Sequence, residues 1–547
     1  MNKNIKLSLA TIAVISSLNA QDLGTVKIEQ SVTQSKIVEN IDGDRVKSAD
    51  LAEALHNESA SINLIRRSGI ANDITLRGQK RDNIVVTIDD GKVCGACPNR
   101  MDPPTSHVVV SNVENVEVNE GPFDVEEFGN LSGSVKVQTK KPSKELSGEV
   151  YVNMGSFGYK KAGATISGGN DTVQVMVTAS KEESDQYEDG DGNTLAQQTQ
   201  NYVYGTATPT DDGNRYSATA KDMKAFEKQT VMTKANINIT DNQALEVSVT
   251  QNRSDNILYA NSGMDALYDD SNIYNVKYTA KELGSFSKKF EIKAYKSDVD
   301  HPMDITLRDK NRNAAKTGMT NHLTTDTHGI KVINTFDAIG RTFDIGLDTN
   351  YRNWDGKYYK DVNPNIGASI KDTDTVNNAL FLKCNNKMGA INIALGLRYN
   401  DTTIDTAEDY VNKDFNSLDA NIIATYKTDS NAKYFVAIGK ASRVPDAREL
   451  YFKSLTQTNA IVMRGTPTLD QTTNTEIDLG VQKNYENGMV KAKAFYSSLD
   501  NYVYFKKGAT TNAFQNIDAS IYGIELNSEY DMTENLFMDF SAAYTRG

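Results

Sequence analysis

The chain has 547 residues, a net charge of −13 and 38% hydrophobic residues, with a mean hydropathy of −0.52. That length exceeds what one ordinary hydrophobic core spans, the acidic balance gives no footing for nucleic acid as a partner, and three cysteines are too few for a disulfide-built scaffold. The polar composition suits a soluble protein, and equally a transmembrane β-barrel, whose strands interleave polar and apolar residues.

In chain order, residues 1–20 (MNKNIKLSLATIAVISSLNA) pair a basic start, Lys3 and Lys6, with a short apolar run and a Leu18-Asn19-Ala20 cleavage pattern. This is the grammar of a secretory signal peptide. No later run approaches the roughly 18 apolar residues of a spanning helix. Residues 21–47 form a leader and linker that holds an extended, β-prone stretch, LGTVKIEQ (23–30). Residues 48–142 read as a small mixed α/β domain. SADLAEALHNES has a capping Ser or Asp ahead of helically spaced Leu51, Ala54 and Leu55. Strand-like runs follow at residues 73–78, 83–91, 112–122 and 132–142.

From residue 143 to 547 the period becomes two. In TVQVMVTAS, Val173, Val175, Val177 and Ala179 alternate with Gln174, Met176 and Thr178, and KFEIKAY, ALEVSVT, TFDIGLDTNY, INIALGLRYN, KYFVAIG and VKAKAFY repeat the theme. The separators are either short (NDT, TDNQ, YENG) or long and polar, such as residues 182–221. Short turns at one end and long loops at the other predict an outer-membrane barrel. The 26 tyrosines, against one tryptophan, suit interfacial girdles. A β-helix would need a fixed repeat, and none is present.

Two segments of the α/β region, ITLRGQKRDNIVVTIDDG (74–91) and VENVEVNEGPFDVEEFGNLSGSVKVQTKKP (113–142), resemble the plug domain of TonB-dependent outer-membrane receptors. ASRVPDARELYF (441–452) and RGTPTLDQTTNTEIDLGV (464–481) resemble segments around that family's late barrel strands. Where the family has Arg-Gly-Pro, this chain has Glu120-Gly121-Pro122. The resemblance implies an N-terminal α/β plug (48–142) inside an antiparallel outer-membrane β-barrel (143–547). It implies a monomer in the outer membrane of a Gram-negative bacterium, in contact with lipid, that is not an enzyme and is driven by the TonB energy-coupling protein. The TonB box falls on Thr25, Val26, Lys27 and Ile28, a segment that would pair by strand addition. The implied barrel has about 22 strands and an aromatic final strand. Because this chain stops at FSAAYTRG, its barrel is expected to be incomplete at the C-terminus.

One loop of the plug, VCGACPNRMDPPTSH (93–107), gathers rare residues. Pro98 suits the first position of a helical turn, which would place Cys97 and Met101 on one face, and Asp102 before Pro103 ends it. Thiolate and thioether aimed together select copper, Cu(I) in particular. The loop also resembles that of the TonB-dependent copper receptors, a subgroup with a second ligand pair, His-x-Met, in the barrel. This chain has His301-Pro302-Met303. Residues two apart on a strand share a side, and Pro302 puts the pair at a strand end or loop base. The expected site is therefore Cys97, Met101, His301 and Met303, with Asp300 or Asp304 steadying the histidine. Cys94 reads as a bystander or redox partner of Cys97 first and a ligand second. His107 reads as structural, and His322 and His328 as loop residues. The alternative cargo is another metal chelate, a siderophore or corrinoid. A thiol–disulfide enzyme on Cys94 and Cys97 lacks the βαβ context that chemistry uses.

Overall fold

The computed structural model describes residues 35–38, 50–204, 215–308, 319–360, 363–407, 412–455, 461–508, 512–533 and 535–547. The signal-peptide pattern and the TonB-box candidate Thr25, Val26, Lys27 and Ile28 lie outside the described residues.

The N-terminal region builds two small sheets around one helix. The helix, Leu51–Glu58, starts where Asp50 accepts from Glu53 N at 3.1 Å, and it buries Leu51, Ala52, Ala54 and Leu55. Asp50 also accepts from Asn72 N and Nδ2, both at 2.9 Å, so the cap ties the helix to the start of the next hairpin. That hairpin joins Ile62–Ile65, Asp73–Leu76 and Gln79–Lys80. The larger sheet runs Ser35–Val38, Val113–Glu120, Gly133–Thr139, Ile84–Ile88 and Gly91–Lys92, with Ile84–Ile88 parallel to Gly133–Thr139. Val116, Val118, Val135 and Val137 are buried on it, as the β-branched spacing predicts.

The remaining strands pair mostly antiparallel, one after the next, and curl into a barrel around these two sheets; the short strands Lys453–Leu455 and Ile461–Arg464 interrupt the order, since Ala432–Arg443 pairs with Thr472–Tyr485 and Ile461–Arg464 runs parallel to Asn512–Thr533. Its first and last strands, Ser147–Met154 and Leu536–Arg546, are neighbours at the seam. The wall is patterned inside out. In Val173–Asp185 the valines Val173, Val175 and Val177 are 37–40% exposed, whereas Gln174, Met176 and Thr178 are at most 9% exposed. The apolar face meets lipid and the polar face meets the lumen, as a bilayer requires. Tyr426, Tyr434, Tyr485 and Tyr530 stand exposed beside the short turns.

Buried charges hold the plug in the lumen. Arg77, at φ +51°, reaches Asp478 (2.9 Å), Glu525 (3.2 Å) and Glu476 on the wall, and its guanidinium lies 4.2 Å above the Phe495 ring. Lys493 of the wall answers with Glu120 of the plug. Asp90 pairs with Lys293 (3.0 Å), Lys331 with Glu127 (2.7 Å), and Lys383 with Glu126. With the lumen side chains drawn from many strands, the plug is fixed in position and so is any loop it carries.

Candidate metal site

The loop that follows Gly91–Lys92 is not helical. Arg100 N donates to Cys97 O at 2.9 Å, closing a single turn, and Arg100 leaves it at φ +57°. The expected helical turn is therefore corrected to a β-turn. A left-handed fourth residue breaks the helical path, and the loop is organised by Asp102 instead. The Asp102 carboxylate accepts from Ala96 N and from Cys97 N (3.0 Å), folding the chain back over Gly95. A Cβ at Gly95 would sit 2.2 Å from Asp102 O, so only glycine permits this approach.

The barrel grips the loop by its carbonyls. Thr325 Oγ1 donates to Cys94 O (2.6 Å), Arg352 to Gly95 O (3.3 Å) and Trp354 Nε1 to Ala96 O (2.7 Å). Tyr259 donates to Met101 O, Lys228 Nζ to Ser106 O (2.6 Å) and Asn252 Nδ2 to His107 O (3.0 Å). These donors come from four strands and one loop of the wall, so the loop's position is set around most of its length. Burial holds the Tyr259 hydroxyl well above the usual range, which keeps it a donor.

His301 and Met303 stand at the end of strand Lys289–Asp304. Pro302 offers no N–H, and the ladder is irregular at that point. Between the pairs Ala266↔Met303 and Asp270↔Asp300, three residues of one strand face two of the other. Such a bulge is where a central strand tolerates proline. The extra residue lets Asp269 turn inward, and its Oδ1 lies 3.2 Å from His301 Nδ1. A carboxylate only accepts, so Nδ1 carries the shared proton, which leaves Nε2 as the ring nitrogen open to an ion. His301 is 0% exposed, and Nε2 has no hydrogen-bond partner.

Plug and barrel halves meet here. Cys97 Sγ is 3.6 Å from Met303 Sδ, and Cys97 and Asp102 are plug groups that act on the His301 ring. A 3.6 Å separation is close enough for both sulfurs to hold one soft ion if one were bound. Met101 is buried, its carbonyl is bound by Tyr259, and the Tyr259 ring meets the His301 ring edge-on at 6.5 Å between centroids. Above the site, Asp265 accepts from Tyr259 N (2.8 Å), Tyr216 OH (2.6 Å) and Arg308 Nη2 (2.7 Å), forming a polar roof.

Cys94 and Cys97 are separate thiols. Cys94 lines a neighbouring cavity of about 140 Å³ with Arg100, Tyr295 and Arg352, a space that Cys97 does not border. The histidine is steadied by Asp269, not by Asp300 or Asp304. Asp300 serves His322 instead, with its Oδ1 2.6 Å from His322 Nε2. His322 and His328 lie within strand Met319–Ala338, so the loop expectation for them is corrected. Both histidines stand on the outward face of that strand with Thr324 and Asp326, while Asn321, Thr325 and Thr327 turn inward, and a stretch that is polar on both faces reads as a loop in the sequence. Met264 packs against the cluster that holds Cys97, Met101 and Met303, and also against the cluster of Met319.

Residues 177–547 match the family model "TonB dependent receptor-like, beta-barrel", and residues 26–134 match "TonB-dependent Receptor Plug Domain". No curated protein sequence matches the chain. Among solved structures it is similar to "Copper transporter OprC" (19% identity, 94% of this chain and 80% of that one, TM-score 0.80). It is also similar to the FrpB iron transporter from Neisseria meningitidis (16%, 94% and 80%, TM-score 0.71) and to the siderophore receptor PirA from Pseudomonas aeruginosa (15%, 94% and 85%, TM-score 0.65). At these identities the likeness is one of fold.

Proposed function

The chain belongs to the TonB-dependent receptors of the Gram-negative outer membrane, and we propose that the ligand it binds and imports is copper. Receptors of this family work with TonB and carry a ligand across the outer membrane. The observation that carries copper is the 3.6 Å approach of Cys97 Sγ to Met303 Sδ beside the orphaned Nε2 of His301. Two sulfurs and a neutral imidazole are soft donors suited to Cu(I), and Met101 is the fourth proposed ligand. His301 bonded through Nδ1 to a carboxylate follows the arrangement that orients a metal-binding imidazole. The four proposed ligand residues are buried, none more than 4% exposed. That speaks for a bare ion and against a siderophore or corrinoid, whose bulk would need an open chamber.

Metal analysis of protein purified in detergent after Cu(I) loading tests this. Wild type should retain about one copper per chain, on the logic of one ligand set. Cys97→Ser and Met303→Ala should lose it, and Cys94→Ser should keep it. If both ligand variants hold wild-type copper, the ligand set is wrong. A ferric chelate carried through purification in place of copper would favour the iron-type cargo.

A further inference from the structure

Beside the sulfur site lies a second group of donors with a different chemistry. Asp102, His107 and Asp269 are all buried, and each presents one ligand atom within 4.8 Å of the other two. His107 ends the short turn Pro104–His107 and is 1% exposed, yet neither of its ring nitrogens has a hydrogen-bond partner. A buried imidazole always has one lone pair or proton to satisfy, and leaving such a group bare costs about 1–3 kcal/mol. Among the described residues, no lysine or arginine forms an ion pair with Asp102 or Asp269, and Asp269 pairs with His301 at 3.2 Å. Two carboxylates and an unpaired imidazole thus face one space in which no lysine or arginine pairs with them.

We infer that Asp102, His107 and Asp269 form a second cation site, one that takes a divalent first-row ion through oxygen and nitrogen. Ligand bonds of about 2.1 Å put the donors no more than about 4.2 Å apart, so a triad within 4.8 Å closes by at most about 0.6 Å on binding. One nitrogen and two carboxylate oxygens suit Zn(II) or Cu(II), in contrast to the sulfur set. No sulfur enters the site, so it stands whether or not copper is the cargo next door. The two sites share their supports. Asp102 holds the Cys97 backbone N–H, and Asp269 holds His301 Nδ1. An ion drawn onto these carboxylates competes with the hydrogen bonds that aim Cys97 and His301, so filling the second site loosens the first.

The test uses the full chain in detergent with Zn(II) alone as probe, in a Cys97→Ser background that disables the sulfur site. Calorimetric titration should show one Zn(II), weakened at least tenfold by adding His107→Gln. Crystals of the Cys97→Ser protein soaked in zinc should show an anomalous peak against a His107 ring nitrogen. This second measurement needs no folded His107 variant. Absence of zinc binding, binding indifferent to His107→Gln, or an ion placed elsewhere overturns the inference. Cu(I) retention by wild type is read separately, so either site fails on its own evidence.

Discussion

Met303→Leu separates ligation from packing. Leucine matches methionine in volume, and such swaps in a packed interior cost under about 1.5 kcal/mol. Met303 is 4% exposed and packs with the plug core, so that bound applies here. Its sulfur is 3.6 Å from Cys97 Sγ, close enough for one ion to bridge both. Changing an outer partner of a metal ligand already costs about 10–100-fold in affinity, so removing a ligand should cost about 100-fold or more, roughly 2.7 kcal/mol. Competition against a chromophoric Cu(I) chelator reads this directly, with thermal unfolding as the packing control. Met232→Leu, another buried methionine on the wall, should leave affinity unchanged. If Met303→Leu binds Cu(I) within about threefold of wild type, Met303 is a packing residue and the bridging argument fails.

Three further outcomes follow from the geometry. Gly95→Ala keeps every proposed ligand but drives a Cβ to 2.2 Å from Asp102 O, so copper retention in purified protein should fall without loss of fold. Arg77→Met leaves Glu476 and Asp478 buried without this cation, while Glu525 keeps Lys493 at 2.6 Å. Breaking such a network costs about 3–5 kcal/mol, and limited proteolysis should cut the plug of the variant far faster than that of wild type. Burial outweighs three N–H bonds at Asp50 and raises its pKa from 3.8 to about 7. The folded state therefore holds the proton more tightly than the unfolded chain. The associated stability is complete below about pH 4 and is lost as pH rises through about 7, up to on the order of 4 kcal/mol. The hydrogen-exchange protection factors of the helix Leu51–Glu58, corrected for intrinsic exchange, should fall across that window in wild type and stay flat in Asp50→Asn.

The strand alternation of Val173, Val175 and Val177 revealed a barrel wall, but periodicity alone does not say which face is wet. The plug's own β-branched strands bury the same residue type that the wall turns outward. The resemblance to the copper-receptor subgroup is what singles out His301 and Met303 as a pair; strand spacing is consistent with it, and Pro302 places them at a strand end, where they stand. Cys97 and Met101 were legible as donors, although their turn is not helical. Asp269 could not be found from sequence. It faces His301 because one extra residue in the neighbouring strand rotates it inward, and a bulge leaves no mark in composition. The donors that hold the loop, Tyr259, Trp354, Arg352 and Thr325, lie more than 150 positions away from it. The signal for His107 was present but weak: a histidine beyond two prolines, whose lack of partners appears only in three dimensions.

A loop seized by its carbonyls, with half of a proposed ligand set on it and half on the surrounding wall, makes cargo affinity a gauge of plug position. Displacing the plug by a few ångströms would part Cys97 from Met303 and halve the coordination sphere. Thermodynamic reciprocity then holds in both directions: whatever factor in affinity the docked geometry confers, the bound ion returns as resistance to undocking. Under the proposed ligand set, a loaded receptor is thus latched by its own freight, and the work TonB performs on the plug would include the coordination energy of the ion it frees.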